Sequence, residues 1–575
     1  MQIKTDSAQF SVERKLPAVQ RRSPFPLSIL TAMVAAFVIL DAILPLRGLW
    51  LSDALLTRLG TWVLWPTFAL FPGWQVSPSL IPGHLNIAGA PPALLSRMES
   101  PLLLAAFLLI FVFYLIALRY LPKHITRRSI FGSTLLLGGL CLLAPVATSP
   151  DVYSYIVYAR MGVLYHLNPL TTLPTMLRHD AVYPYLYWIN QPSAYGPTWA
   201  GISSLLQWVA LIFGSANMLA PLLAFRLLGL ATHLGSTALI WSIGGSLQRA
   251  KGYISPELRL RSTLAFAWNP LLLIEACVNA HNDSSLLFFV LLAIWFLVRG
   301  RTTQHGYLFA AVFLALATCL KLNAVLLFPG LLFFLWTQPR RVKNSVLATA
   351  AYCGTILLLY APFWQGGAIL NVLYVNPSTY RNINTFAEFA GQFYNGIASH
   401  LGFPLAASVG SRAERFTHTL STGIFVIIYG WLCWRAFRNP ERINTPARLL
   451  RWLAVVWLLY CAIGSPWFWP WYLVTFFGLY ALIEVTGEHT HLLPGIFGQP
   501  AAIRLLAFSM LMTYCISIWG THASFVPGLP GFQWIYFRGP WTWLLPLLAC
   551  CCIRPMRTLG TRLLAFTSER QGARG

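Results

Sequence analysis

The run IFGSTLLLGGLCLLAPVATSPDVYSYIVYARMGVLYHLNPL, residues 130–170, decides how the whole chain is read. Its first part, 130–148, carries no charged side chain, and an apolar run of about 18 residues is long enough to cross a hydrocarbon core. The run stops at Ser149-Pro150-Asp151, so a carboxylate stands at the end of a predicted span. Behind it come Tyr153, Tyr155, Tyr158 and Arg160, with Asp151, Tyr155 and Tyr158 sharing one face at helical spacing.

The same succession of apolar run and polar end recurs in both directions. Candidate spans fall at about 26–46, 101–119, 130–148, 197–214, 218–244, 263–279, 285–299, 307–320, 322–337, 346–363, 416–436, 452–465, 470–486, 504–521 and 539–553. Of the 575 residues 57% are hydrophobic and 10% charged. Soluble domains carry roughly 25% charged residues, so this chain lacks the polar surface to cover itself in water. The expected fold is all-α, a polytopic transmembrane helical bundle of about 13–15 spans.

A net charge of +24 raises nucleic acid as a partner, but its placement argues against one. Lys and Arg gather in short loops between apolar runs: Lys123/Arg127/Arg128, Arg249/Lys251/Arg259/Arg261, Arg299/Arg301, Arg340/Arg341/Lys343, Arg435/Arg438/Arg442/Arg448/Arg451, and the tail from Arg554. That asymmetry assigns those loops to the cytoplasm. A nucleic-acid binder gathers its cations on a folded polar domain. Arg14, Lys15, Arg21 and Arg22 precede the first apolar run without a clean cleavage site behind it, which reads as a signal-anchor span. The ten cysteines lie mostly inside apolar runs and form no CxxC pair, the pattern of buried thiols.

With the basic loops inside, three outer segments are too long for turns: 47–100, 149–196 and 364–415. Rich in Trp, Tyr, Pro and Asn, they are expected to hold amphipathic interfacial helices. One count fails. Two full crossings between 197 and 244 would carry the basic loop 249–261 outside, so one of those segments is expected to be re-entrant, interfacial or broken.

A carboxylate in the membrane or at a span end is costly unless it is used or paired, which makes it a functional candidate. Asp41, Asp53, Glu99, Asp151, Asp180, Glu275, Asp283, Glu388 and Glu414 qualify. Asp151 leads, and Ser149-Pro150-Asp151 also suits a plain helix start, two roles that can coexist. In WNPLLLIEACVNAHNDSSLLFF, residues 268–289, Glu275, Asn279 and Asn282 or Asp283 would stack on one helical stripe beside His281, a polar helix end that merely meets water being the lesser alternative. One His with scattered carboxylates makes no metal-ligand set, and no cofactor is expected. Outer cations are scarce: Lys321, Arg160 and Arg381 could each meet a phosphate, although Lys321 also fits a snorkelling span end. Trp467, Phe468, Trp469, Trp471 and Tyr472 suit either an interfacial belt or a sugar-stacking platform.

Asp151, Tyr153-Ser154-Tyr155, Arg160, Gly162 and Asn168-Pro169 together resemble the first outer loop of bacterial GT-C glycosyltransferases. The likeness is nearest to the polyprenyl-phosphate-mannose-dependent α-1,6-mannosyltransferase family. Tyr195-Gly196-Pro197, Trp268-Asn269-Pro270, Glu275, Asn279-Ala280-His281-Asn282-Asp283, Lys321 and Pro466-Trp467…Pro470-Trp471-Tyr472 follow in order. One departure is His166-Leu167, where the family usually shows glycine before Asn-Pro.

The resemblance implies a GT-C-type bundle that transfers a sugar with inversion from a polyprenyl-phosphate donor to a glycolipid or glycan acceptor, at the outer face of the plasma membrane. Mannose is the sugar it implies, with arabinose and glucose as open alternatives. Asp151 would be the general base, and Lys321, Arg160 and Arg381, in that order, the donor phosphate's partners. Tyr155, Tyr158, Tyr195, Glu275, Asn279, His281, Asn282, Asp283, Trp467 and Trp471 would line the sugar and acceptor pocket. The chain then divides into a cytoplasmic tail (1–25), two leading spans with an outer loop (26–129), a catalytic module (130–345), a C-terminal membrane region (346–553) and a basic tail (554–575). A transporter or lipid flippase is the rival reading. It would place Asp41 or Arg226 in a central pathway.

Overall fold

The computed structural model describes residues 27–43, 49–50, 75–78, 84–88, 92–144, 149–299, 305–402, 412–487, 499–518 and 534–549. The expectations for Asp53 and for the tails 1–25 and 554–575 lie outside these residues. Among them the chain is a bundle of helices. Five are long and apolar enough to cross a membrane: Pro101–Lys123, Leu219–Ala250, Arg341–Phe363, Arg412–Arg438 and Pro446–Gly464. The pair Pro270–Val278 and Asp283–Arg299, bent by 112°, makes a sixth if taken as one span, and shorter apolar helices pack among them.

Local chemistry sets the helix starts. Thr126, Ser255 and Thr445 each accept a backbone N–H from three residues on, and Pro256 and Pro446 occupy first-turn positions where no N–H is needed. Asn269 caps the short Pro270–Leu273 helix by accepting the Leu271 N–H, two residues on. Between helices, polar bonds join the apolar faces: Tyr114 Oη donates to Ala265 O at 2.7 Å and Trp268 Nε1 to Ser133 Oγ at 3.0 Å. In lipid, where apolar burial drives little association, such bonds and close packing do the holding, at about 0.6 kcal/mol per bond.

The failed count of crossings has a structural answer. Gln248 Nε2 and Lys251 Nζ reach Val485 O and Thr486 O, on the basic side. At the other end of the same helix, Arg226 donates to the carbonyls of Leu142, Ala144 and Val278, where neighbouring helices finish. The Pro197–Ala210 helix begins with Gly196 N–H bonded to Leu320 O, and past its end Arg160 donates to Ser215 O. Both of its ends therefore stay on the side opposite the basic loops. Leu205, Trp208, Ile212 and Phe213 are exposed on it, as on a helix lying in an interface.

Segment 364–415 carries a similar element, Phe386–His400. Phe386, Phe393, Tyr394 and Ile397 face outward while Glu388 and Asn395 are buried. The 47–100 segment differs from expectation. Its described part holds a small antiparallel sheet, with Trp50 paired to His84 and Val76 to Ile87, followed by the start of the Pro92–Tyr120 helix. The alternation His84-Leu85-Asn86-Ile87 has the two-residue period of a strand, which the expectation of interfacial helices overlooked.

Candidate active site

On the side away from the basic loops, the helix ends surround a cavity of about 960 Å³. Asp151 lies in its wall as the first residue of the Asp151–Leu164 helix, with Pro150 at the cap position. Its carboxylate does not cap the helix: Oδ1 accepts the indole N–H of Trp188 at 3.1 Å. Burial pushes the Asp151 pKa up to about 6, with the Trp188 bond and Lys321 pulling down and Asp283 adding to the rise. Near neutral pH most of the population carries the base form, with a proton affinity suited to accepting a hydroxyl proton.

Gly196 brings the next wall into place. A Cβ there would fall 2.2 Å from Cys319 O, so only glycine lets this backbone close on the end of the Gly306–Leu320 helix, whose next residue is Lys321. Lys321 Nζ contacts both Asp283 carboxylate oxygens at 2.9 Å and lies 4.0 Å from the centre of the Tyr472 ring. Its charge is thus already paired. Arg381 differs. Its guanidinium sits 5.8 Å over Trp467 and makes no hydrogen bond or ion pair among the described residues. Trp467 packs edge-on against Trp188 at 6.0 Å, so Asp151, Trp188, Trp467 and Arg381 follow one another along the wall.

Arg160, expected at a donor phosphate, is elsewhere. It forms a bidentate pair with Asp180, through Nε at 2.8 Å and Nη2 at 2.8 Å, and does not line the cavity. Tyr165 and Val182 N–H complete the shell around Asp180. Two opposite charges buried together satisfy one another, so Arg160 braces the 149–196 loop and has no charge to spare.

The expected stripe from Glu275 to Asp283 is split in two. Residues 274–278 form a π-helical turn and Ala280 takes a left-handed conformation, φ 54°, which breaks simple helical spacing. Glu275 bonds Asn279 and Tyr514 at 2.7 and 2.5 Å, with His281 Nε2 at 3.5 Å; none of these lines the cavity. Asp283 turns instead to Lys321. Asn282 is buried beside them. His281 stacks on Trp471 at 3.9 Å and its Nδ1 lies 3.4 Å from Tyr155 Oη, so His281 and Tyr155 stand behind the wall that Trp471 presents. Tyr158, Tyr195, Trp467 and Trp471 line the cavity directly.

Several wall residues carry no signal in the sequence: Trp188, Asn382, Gln392, His418 and Arg538. Glu388 and Glu414, two of the nine candidate carboxylates, also line it. Asp41 and Arg226, which a transporter would place in a pathway, are buried and line no part of this cavity. Among the described residues no three His, Cys, Asp or Glu side chains form a metal-ligand group.

Residues 69–338 match a family described as alpha-(1->6)-mannopyranosyltransferase, N-terminal domain. The chain is 29% identical over 167 residues to an alpha-(1->6)-mannopyranosyltransferase of Mycobacterium tuberculosis, which covers 28% of this chain and 25% of that protein. It is 25% identical over 434 residues to a probable alpha-(1->6)-mannopyranosyltransferase of Mycolicibacterium smegmatis, 67% of this chain and 69% of the relative. The resemblance read from the outer-loop and His-Asn-Asp motifs is borne out at this level.

Proposed function

We propose, from the match of residues 69–338 to the alpha-(1->6)-mannopyranosyltransferase N-terminal domain, that this chain is a membrane glycosyltransferase moving mannose from a polyprenyl-phosphate donor to a lipid-linked or cell-envelope glycan. The observation that carries the reading is the half-buried Asp151 carboxylate, held by Trp188 in a cavity also lined by Arg381, which is unpaired among the described residues.

Asp151 takes the proton of an acceptor hydroxyl as its oxygen attacks the anomeric carbon. The bond from that carbon to the phosphate oxygen breaks, and polyprenyl phosphate leaves with the bonding pair. Attack opposite the leaving group inverts the anomeric centre. A placed base supplies about 10²–10⁴-fold. Arg381 meets the phosphate, where charge-assisted bonds are strong in a site of little water; Lys321, paired to Asp283, contributes the remainder of its field. The basic loops support a cytoplasmic assignment for the opposite face, and on that reading the cavity opens at the outer face. The donor's tail then stays in the bilayer beside the cavity.

The test is transfer from radiolabelled polyprenyl-phosphate mannose into membrane glycolipid and glycan acceptors, with wild type beside Asp151→Asn. Label transferred by wild type and lost in a folded, inserted variant supports donor, class and base together. Equal transfer by both removes Asp151 as the base. No transfer from mannose or any other lipid-linked sugar by wild type overturns the proposal.

A further inference from the structure

The cavity extends past the reaction end into an arm walled by Glu388, Gln392, Glu414, His418 and Arg538. All five come from outside the 69–338 region that the family match covers. The arm is built with care. Ile383 N–H donates to Pro466 O at 2.8 Å, Phe468 N–H returns to Ile383 O at 3.1 Å, and Asn384 Nδ2 donates to Phe468 O at 2.9 Å. Glu388 accepts Arg538 Nη2 at 2.9 Å and Asn384 N–H at 2.6 Å, while Glu414 accepts Asn382 N–H at 3.0 Å. A Cβ on Gly539 would fall 2.5 Å from the Thr385 backbone, so glycine there lets the next helix close and bring Arg538 onto Glu388.

Charge decides what such an arm can hold. Among the described residues that wall the arm two are carboxylates and one is a guanidinium, which is bonded to Glu388, so the arm offers a phosphate fewer donors than the Arg381 end. Carboxylate, amide and imidazole groups instead exchange hydrogen bonds with hydroxyls, and the Trp467 and Trp469 rings at the arm's mouth offer faces to sugar C–H groups. About 960 Å³ is far more than one ring fills. We infer that this arm is the acceptor subsite and takes an uncharged oligosaccharide, while Arg381 at its junction with the reaction end keeps the donor phosphate to the other side. The inference rests on the glycosyl-transfer reading for its role and on the wall's composition for its ligand.

The experiment titrates the full chain in nanodiscs with α-1,6-linked mannotetraose, without donor, and reads tryptophan fluorescence. Gln392→Trp fills the arm from the Phe386–His400 helix, away from Asp151 and Arg381. The expected result is saturable binding by wild type, weakened at least tenfold in Gln392→Trp, with polyprenyl-phosphate binding unchanged. If that variant does not fold, Gln392→Met, of similar length but without the amide, is expected to weaken tetraose binding about two- to tenfold. Absence of tetraose binding by wild type, or equal binding by the variants, overturns the inference. Tetraose binding that responds to Gln392 in a protein that transfers no sugar keeps the arm and removes the transfer reading. Transfer whose acceptor KM ignores Gln392→Trp does the reverse.

Discussion

The indole N–H of Trp188 donates to Oδ1 of Asp151 across 3.1 Å, from a loop residue to the first residue of the Asp151–Leu164 helix. A donor at that oxygen favours the charged carboxylate and fixes where its free lone pairs point. Asp151→Asn keeps the shape and can keep a bond in this place, but it takes no proton. Transfer is expected to fall about 10²–10⁴-fold with little change in donor KM. Initial rates in detergent or nanodiscs check this, and a loss under tenfold sinks the general-base role.

The same bond sets a pH dependence. Asp151 acts only when deprotonated, so with a pKa of about 6 the rate should fall as pH drops through that value. Trp188→Phe keeps a ring but removes the N–H that stabilises the carboxylate. Its acidic limb should move to higher pH. A pH–kcat/KM profile that stays in place would show that another group sets the limb.

Arg160 and Asp180 make a stability prediction of a different kind. Their side chains are 4% and 0% exposed, and each is the other's charge partner. Arg160→Met strands a buried carboxylate, and breaking such a pair costs about 3–5 kcal/mol. Asp180→Leu added to it should restore much of the loss, because the apolar pair no longer buries a lone charge. Thermal unfolding of the detergent-solubilised protein checks both. An Arg160→Met protein as stable as wild type but poor in donor affinity would return Arg160 to the phosphate.

These residues show where the sequence speaks and where it falls silent. The spans were legible because length and apolarity are local properties, and Asp151 was legible because a span ends on it. Trp188 could not be paired with Asp151, nor Glu388 with Arg538, since the partners meet only after an irregular loop or a distant helix has folded. The Glu275–Asp283 stripe failed for a local reason: a π turn and a left-handed Ala280 undo 3.6-residue spacing. His166, where the resemblance called for glycine, has φ 52°, so the expected glycine marks a backbone need that His meets under strain.

Ala280 turns that strain into a measurement. A left-handed L-residue costs roughly 1–2 kcal/mol, and glycine removes it while loosening the unfolded chain by about 0.4–1 kcal/mol. Ala280→Gly should therefore raise stability by up to about 1.6 kcal/mol, seen as a higher midpoint in thermal unfolding. A lower midpoint would mean that the Ala280 methyl, buried beside His281, packs for more than its backbone costs.

Arg381 offers the sharpest separation among the three cations proposed for the phosphate. Arg160 is spent on Asp180 and Lys321 on Asp283, whereas Arg381 rests on Trp467 with its donors free among the described residues. A guanidinium presents its N–H groups as a planar fork that matches phosphate oxygens, and a lysine in its place offers only a point charge. Bonds to a charged partner are worth about 1.5–3 kcal/mol, or roughly 10–150-fold in affinity. Arg381→Gln is expected to raise the donor KM by that range, and Arg381→Lys to recover part of it. Neither should move the acidic limb that belongs to Asp151. Asp283→Asn supplies the contrast: it releases Lys321 from its partner, so if Lys321 were the main phosphate cation, donor affinity would tighten in that variant and stay unchanged in Arg381→Gln. Donor KM measured across the three variants decides which cation the leaving phosphate meets.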